Sequence, residues 1–142
     1  MKNFLISGLL SLVLFSCGQT TGSKEATHEQ TTELAINDAK VKVYYFHGKQ
    51  RCVTCMTAQQ VAQDAVMENF SDNPDVAFVE VDVDDPANAE LAEKYEVVFS
   101  TLIIAGNNSH KDITDKSFAL AMNNPTDLKA LIVAETNALL TN

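Results

Sequence analysis

The residues most able to do chemistry are two cysteines, Cys52 and Cys55, in the stretch Arg51-Cys52-Val53-Thr54-Cys55. A pair of thiols separated by two residues can cycle between dithiol and disulfide, and its reactivity depends on how readily one sulfur ionises. The surrounding sequence favours ionisation. A strand-like run, Val41–Phe46, precedes the pair, and a helical run is expected from Cys55 to about Phe70. The first turn of a helix has unpaired N–H groups and the positive end of the helix dipole, both of which stabilise an anion. Cys52 at that position is the expected nucleophile, and Arg51 adds a fixed positive charge beside it. An inert structural thiol would lie in apolar surroundings, whereas Lys49, Gln50 and Arg51 flank this one.

The elements that must hold the pair follow from hydrophobic period. Val41–Phe46 is nearly continuous in apolar, β-branched and aromatic residues, the pattern of a strand covered on both faces. In the following helix Ala58, Val61, Ala62, Ala65, Val66 and Phe70 recur at three- and four-residue spacing, so one face belongs to the core. Turn residues Ser71–Asp75 end it, and Val76–Val83 is the next strand, completing a βαβ unit. Asp85 and Pro86 supply a capping residue and a first-turn proline for a second helix, to about Tyr95. Val97–Ala105 is expected as a third strand. Gly106-Asn107-Asn108-Ser109 is a hairpin signal, returning His110–Thr114 antiparallel to it. Asn124-Pro125-Thr126-Asp127 opens a last helix with an apolar stripe through Leu128, Leu131, Ile132, Leu139 and Leu140. The expected order is βαβαββα, an α/β fold with a central mixed sheet flanked by helices.

At 142 residues and 46% hydrophobic content, the chain suits one domain plus a short extra piece. That piece is at the front, where Lys2 precedes an apolar run, Phe4–Phe15. The run is shorter than the ~20 residues of a membrane-spanning helix, and its order is that of a secretory signal; a transmembrane anchor is the alternative. Leu14-Phe15-Ser16-Cys17 resembles the bacterial lipobox, with Phe15 in place of the usual small residue. The resemblance implies cleavage after residue 16, lipid on Cys17, and a bacterial cell-envelope location on a periplasm-facing leaflet. Of the chain's three cysteines, this leaves Cys52 and Cys55 as a pair in a compartment where a disulfide persists. Residues 17–32 are polar and without apolar period, a tether with a reach of about 20 Å, and His28 within it is a bystander. Residues 33–142 form the domain, with Glu33–Ile36 a short edge segment.

Removing residues 1–16 takes away Lys2 and no acidic residue, so the formal charge moves from −9 to −10. No basic stripe with interleaved aromatics exists, which excludes nucleic acid as a partner. The same charge opposes adsorption to anionic lipid, leaving the lipid on Cys17 as the membrane contact.

The element order, with Cys-x-x-Cys at the start of the first helix, resembles the thioredoxin fold over roughly Val41–Leu140. More narrowly, Tyr44-Tyr45-Phe46-His47, the Arg-Cys-Val-Thr-Cys segment and the lipobox resemble a group of bacterial thioredoxin-like proteins linked by name to nitrophenyl-compound nitroreduction or to arsenic. The resemblance implies a thiol-disulfide oxidoreductase without a cofactor, acting on a dithiol or disulfide of a protein partner. Cys52 would attack and Cys55 would resolve the mixed disulfide. The sequence departs from the family in three places. Arg51 replaces an aromatic residue, which would attract anionic partners. Ser100 or Thr101 replaces the cis-proline opposite the dithiol, where a trans peptide is expected because a non-proline cis bond costs ~3–4 kcal/mol. Tyr44 or Tyr45 replaces the buried acid, while Glu80 falls where its partner lysine would be and could accept the proton of Cys55; a solvent-facing strand-end carboxylate is the alternative reading of Glu80. Against the redox enzyme stands a soft metal or metalloid binder, Cu(I) or As(III), with Cys52, Cys55 and His47 as ligands and Met56 beside them. A third option is an interaction domain that keeps the fold as a scaffold.

Overall fold

The computed structural model describes residues 38–141. The signal segment 1–16, Cys17, the tether 17–32 and the edge segment Glu33–Ile36 lie outside the described residues. Strand β1 (Val41–His47) leads through helix α1 (Val53–Phe70) to strand β2 (Val76–Asp82). A 3-10 turn, Pro86–Asn88, runs into helix α2 (Ala89–Lys94), and strands β3 (Thr101–Ala105) and β4 (His110–Asp112) follow. Helices α3 (Thr114–Ala121) and α4 (Pro125–Leu140) close the described chain. The sheet order is β2-β1-β3-β4, with β1 parallel to β2 and antiparallel to β3, so it is mixed as expected.

Strand β1 is the axis of the molecule, because it is paired along both edges and covered on both faces. Val41, Val43 and Tyr45 point to one face, where they pack with Leu102 and Ile104 against α1, α3 and α4. Phe46 and Tyr44 point to the other, with Val81, Ile103 and Tyr95. This two-sided covering is what the near-continuous apolar run demanded. All six positions of α1 expected to face the core are buried. In α4, Leu128 and Ile132 are fully buried, and Leu131, Leu139 and Leu140 pack partly against the same cluster.

Strands β1 and β2 each end one residue away from the sequence expectation, and four larger differences have local reasons. Helix α1 begins at Val53, because Cys52 itself adopts the extended conformation of a capping residue (φ −82°, ψ 161°). Strand β3 begins at Thr101 rather than Val97. Its first partner is Phe46, and β1 ends one residue later, so Val97–Phe99 have no residue of β1 opposite them. Val98 and Phe99 are consequently 85% and 64% exposed. The second helix is a 3-10 turn capped by the Asp85 side chain, then a short α-helix ending at Lys94; Glu96, with φ 54°, turns the chain out of it. Finally, His110–Asp112 is shorter than expected, because Asp112 Oδ1 accepts from Thr114 N (2.8 Å) and starts α3. That helix has no counterpart in the sequence reading. Thr114 ties it to the sheet by accepting from Leu102 N at 3.0 Å.

Candidate active site

The C-terminal end of β1, the start of α1 and the segment before β3 converge on the two cysteines. Cys52 and Cys55 are joined as a disulfide with Cα atoms 5.1 Å apart. Cys52 caps α1 with its own sulfur, which accepts from Cys55 N at 3.1 Å, and its carbonyl accepts from Met56 N at 3.0 Å. The sulfur therefore already occupies the anion-favouring position at the helix start, and a thiolate there would gain from the same N–H. Cys52 is exposed and Cys55 is half-buried. An incoming sulfur reaches Cys52 first.

Beneath the pair lies Tyr45. Its ring is buried, and its hydroxyl donates to the Cys55 carbonyl at 2.6 Å. Burial pushes its pKa above the ordinary value of 10.0, opposed by a hydrogen bond with the Ser100 side chain and by the charge of Arg51. Of the two tyrosines considered for the position of the family's buried acid, Tyr45 is the one on the dithiol face. Tyr44 packs against Phe46 and Tyr95 on the opposite face. Alternation puts Val43 and Tyr45 on one face and Tyr44 on the other, but in a run apolar on both faces it does not say which of the two α1 covers.

Tyr45→Phe removes the hydroxyl and leaves the Cys55 carbonyl without this donor, at an expected cost of about 1 kcal/mol. The pH response separates this from generic destabilisation. A phenol whose folded pKa is raised adds stability that is fully present below pH 10.0 and is lost as pH rises through the folded value. Melting temperature should therefore fall above pH 10 in the wild type and fall less in Tyr45→Phe. Parallel slopes from pH 9 to 11 would remove Tyr45 as the source.

The end of β1 and the loop to α1 are held by the segment just after β2. Val83 N donates to the His47 carbonyl (2.8 Å), and Asp84 Oδ2 accepts from Lys49 N (2.7 Å). A Cβ at Gly48 would come within 3.2 Å of that same carboxylate oxygen, so a side chain there would fit only if the Asp84 carboxylate gave way by a few tenths of an ångström. Asp84 is a positioning group that sequence reasoning missed, since nothing in the chain's pattern pairs it with residue 49.

Glu80 stands level with Tyr45 on the neighbouring strand. Its Oε1 lies 2.8 Å from His47 Nε2 and 3.3 Å from Arg51 Nη1. The carboxylate thus joins His47 and Arg51, and neither of these contacts is to a sulfur. The other ring nitrogen, His47 Nδ1, faces the Gly48 carbonyl at 3.1 Å, so the ring lies between two oxygen groups. Arg51, expected to attract anionic partners, is turned inward: its side chain is 25% exposed, and Glu80 takes up part of its charge.

Ser100 is brought to the site through Tyr45, whereas Thr101 is not. Thr101 is buried, donates from Oγ1 to the Phe99 carbonyl at 2.8 Å and lines a separate cleft with Tyr95 and Asp112. The described residues contain no cis peptide bond, so the Ser100 segment is trans, as expected without proline. An open cleft of about 500 Å³ runs between the 48–50 loop and the Val98–Ser100 segment. Val53 and Met56 on α1, with Val98 and Phe99, give the surroundings of this end of the fold an apolar surface. Among the described residues, no group of three or more His, Cys, Asp or Glu is arranged to hold a metal ion.

No protein-family model matches the sequence, and no curated protein matches it. Solved structures do. Human ERp44 in its zinc-bound form is 21% identical, with a TM-score of 0.52 over 75% of this chain; the match spans only 29% of the ERp44 chain. The thioredoxin of Malassezia sympodialis (Mala s 13) is also 21% identical, with a TM-score of 0.50 over 77% of this chain and 88% of that one. At this identity the likeness concerns the fold, and the chain has a thioredoxin-like α/β fold.

Proposed function

We propose that the protein is a thiol-disulfide oxidoreductase of the bacterial cell envelope, held to the membrane by lipid on Cys17. The observation that carries the redox reading is the exposed Cys52 sulfur at the cap of α1, bonded to Cys55 and accepting the Cys55 N–H. In the reductive direction a thiolate of a partner dithiol attacks Cys52 Sγ. The Cys52–Cys55 bond breaks, a mixed disulfide forms at Cys52, and Cys55 leaves and takes a proton. The partner's second thiol loses its proton and attacks the partner sulfur of the mixed disulfide, releasing the protein dithiol and a partner disulfide. The reverse sequence oxidises a partner dithiol, and both directions use the same sulfurs without a cofactor.

The envelope location is supported by Leu14-Phe15-Ser16-Cys17 behind a short apolar run, and by a cysteine count that leaves one pair once Cys17 is lipidated. The narrower bacterial resemblance supplies a competing use of the same sulfurs, capture of As(III) or Cu(I). Redox titration of the wild-type protein with glutathione separates the two. The exchange reading expects a reversible disulfide between Cys52 and Cys55 and no stoichiometric metal or metalloid retained against a strong chelator. A pair that does not reoxidise, together with stoichiometric retention, would overturn it in favour of capture. For the anchor, Cys17→Ser should shift the protein out of the lipid-modified membrane fraction, and unchanged fractionation would remove that part of the proposal.

A further inference from the structure

Arg51 uses its donors incompletely. Nη1 meets Glu80 Oε1 at 3.3 Å, longer than the roughly 2.7–2.9 Å of a strong guanidinium–carboxylate bond, and that oxygen is closer to His47 Nε2, at 2.8 Å. The Nε atom of Arg51 is buried and has no hydrogen-bond acceptor among the described residues. A buried N–H without an acceptor is unfavourable and rare in folded proteins. The adjoining sulfur, that of Cys52, is one residue along the chain. In the disulfide that sulfur is neutral and a weak acceptor; as a thiolate it would be an anion on the residue next to Arg51.

We infer that Arg51 is a positioning residue held aside in the disulfide state and transferred to the Cys52 sulfur on reduction, with Glu80 and His47 as its holder. The inference rests on the proposed exchange activity and adds the device that sets its equilibrium. Reduction by a partner dithiol breaks the Cys52–Cys55 bond and yields the partner disulfide, a thiolate at Cys52 and a thiol at Cys55. Of the two partner protons, one goes to Cys55 and one to solvent. As charge appears on Cys52, the guanidinium exchanges its long contact with Glu80 for one with the thiolate, and the buried Nε–H gains an acceptor. Glu80 does not follow, because His47 keeps it on β2 through the shorter bond. Stabilising the thiolate stabilises the reduced protein and makes the disulfide more oxidising.

The test is equilibration of the full chain with reduced and oxidised glutathione at one pH and ionic strength, with the oxidised fraction read by thiol alkylation. Arg51→Gln should shift the equilibrium constant about tenfold toward the disulfide, about 30 mV for a two-electron couple. Glu80→Gln should shift it the opposite way by a similar factor, because Arg51 is released. In the Arg51→Gln background the Glu80→Gln effect should shrink to about twofold or less, since there is no longer a guanidinium to release. His47→Leu, which leaves Glu80 to Arg51 alone, should favour the disulfide, and His47→Gln, which restores a donor, should move back toward the wild type. An undiminished Glu80→Gln shift without Arg51 would mean that the carboxylate acts on the sulfur directly and would overturn the transfer. So would an Arg51→Gln protein with the wild-type constant. If the wild type itself forms no reversible disulfide, the exchange activity fails; if it titrates normally and these shifts are absent, only the role of Arg51 fails.

Discussion

Cys55→Ser should convert the protein into a trap that accumulates a mixed disulfide with its partner through Cys52. The exposed sulfur at the helix cap can still attack, but the half-buried group that would displace the partner is now a hydroxyl. Cys52→Ser should form no such adduct at Cys55, because that remaining thiol of the pair is the less accessible one. In both variants turnover should fall by roughly three orders of magnitude or more, as expected when a covalent nucleophile or its resolving group is lost. Non-reducing gel shifts of the full chain mixed with a small disulfide-containing protein, followed by mass spectrometry of the adduct, read the difference. If the two variants trap equally, the asymmetry seen in exposure is not the asymmetry of the reaction.

The largest effect on stability should come from Ile104→Ala. Ile104 lies in β3, opposite Val43 of β1, and is fully buried in the cluster under α1 and α4. Truncation there loses the transfer free energy of the side chain and leaves a cavity that a hydrogen-bonded sheet cannot close, about 2–5 kcal/mol in comparable sites. For a domain of this size the melting temperature should drop by roughly 10 °C or more. Val98→Ala, at a position 85% exposed, should stay within about 0.5 kcal/mol of the wild type. Thermal melts followed by circular dichroism compare them, and similar losses at both positions would contradict the packing described.

Much of this was legible from residue patterns because the relevant signals are local. The dithiol announces itself by spacing and by the strand-to-helix change around it. The α1 stripe fixes its buried face from six positions, and the alternation of β1 puts Val43 and Tyr45 together on one face, although only the structure shows that this is the face under α1. What was not legible depends on pairing across the sheet. Val97-Val98-Phe99 has the composition of a strand, and only the end of β1 at His47 leaves it unpaired. Helix α3 was hidden because Ile113 and Thr114 read as the end of a hairpin strand, while the Asp112 side chain turns the chain into a helix there. Glu80 was singled out as a possible proton acceptor for Cys55, but its partners His47 and Arg51 were not foreseen. Its contacts with His47 and Arg51 follow from the parallel register of β1 with β2, which a single sequence does not specify.

Strand β1 has a consequence for how motion is distributed around the sulfurs. Bonded along both edges and covered on both faces, its amides should exchange with solvent only through global unfolding, among the slowest in the protein. Tyr45 and His47 ride on that strand, so they form a fixed floor. The residues on either side of the cleft, 48–51 and 97–100, belong to no strand or helix and can open at far smaller free energy. A partner docking at Cys52 would therefore meet a rigid base with yielding walls, and reduction can reset the walls without disturbing the sheet.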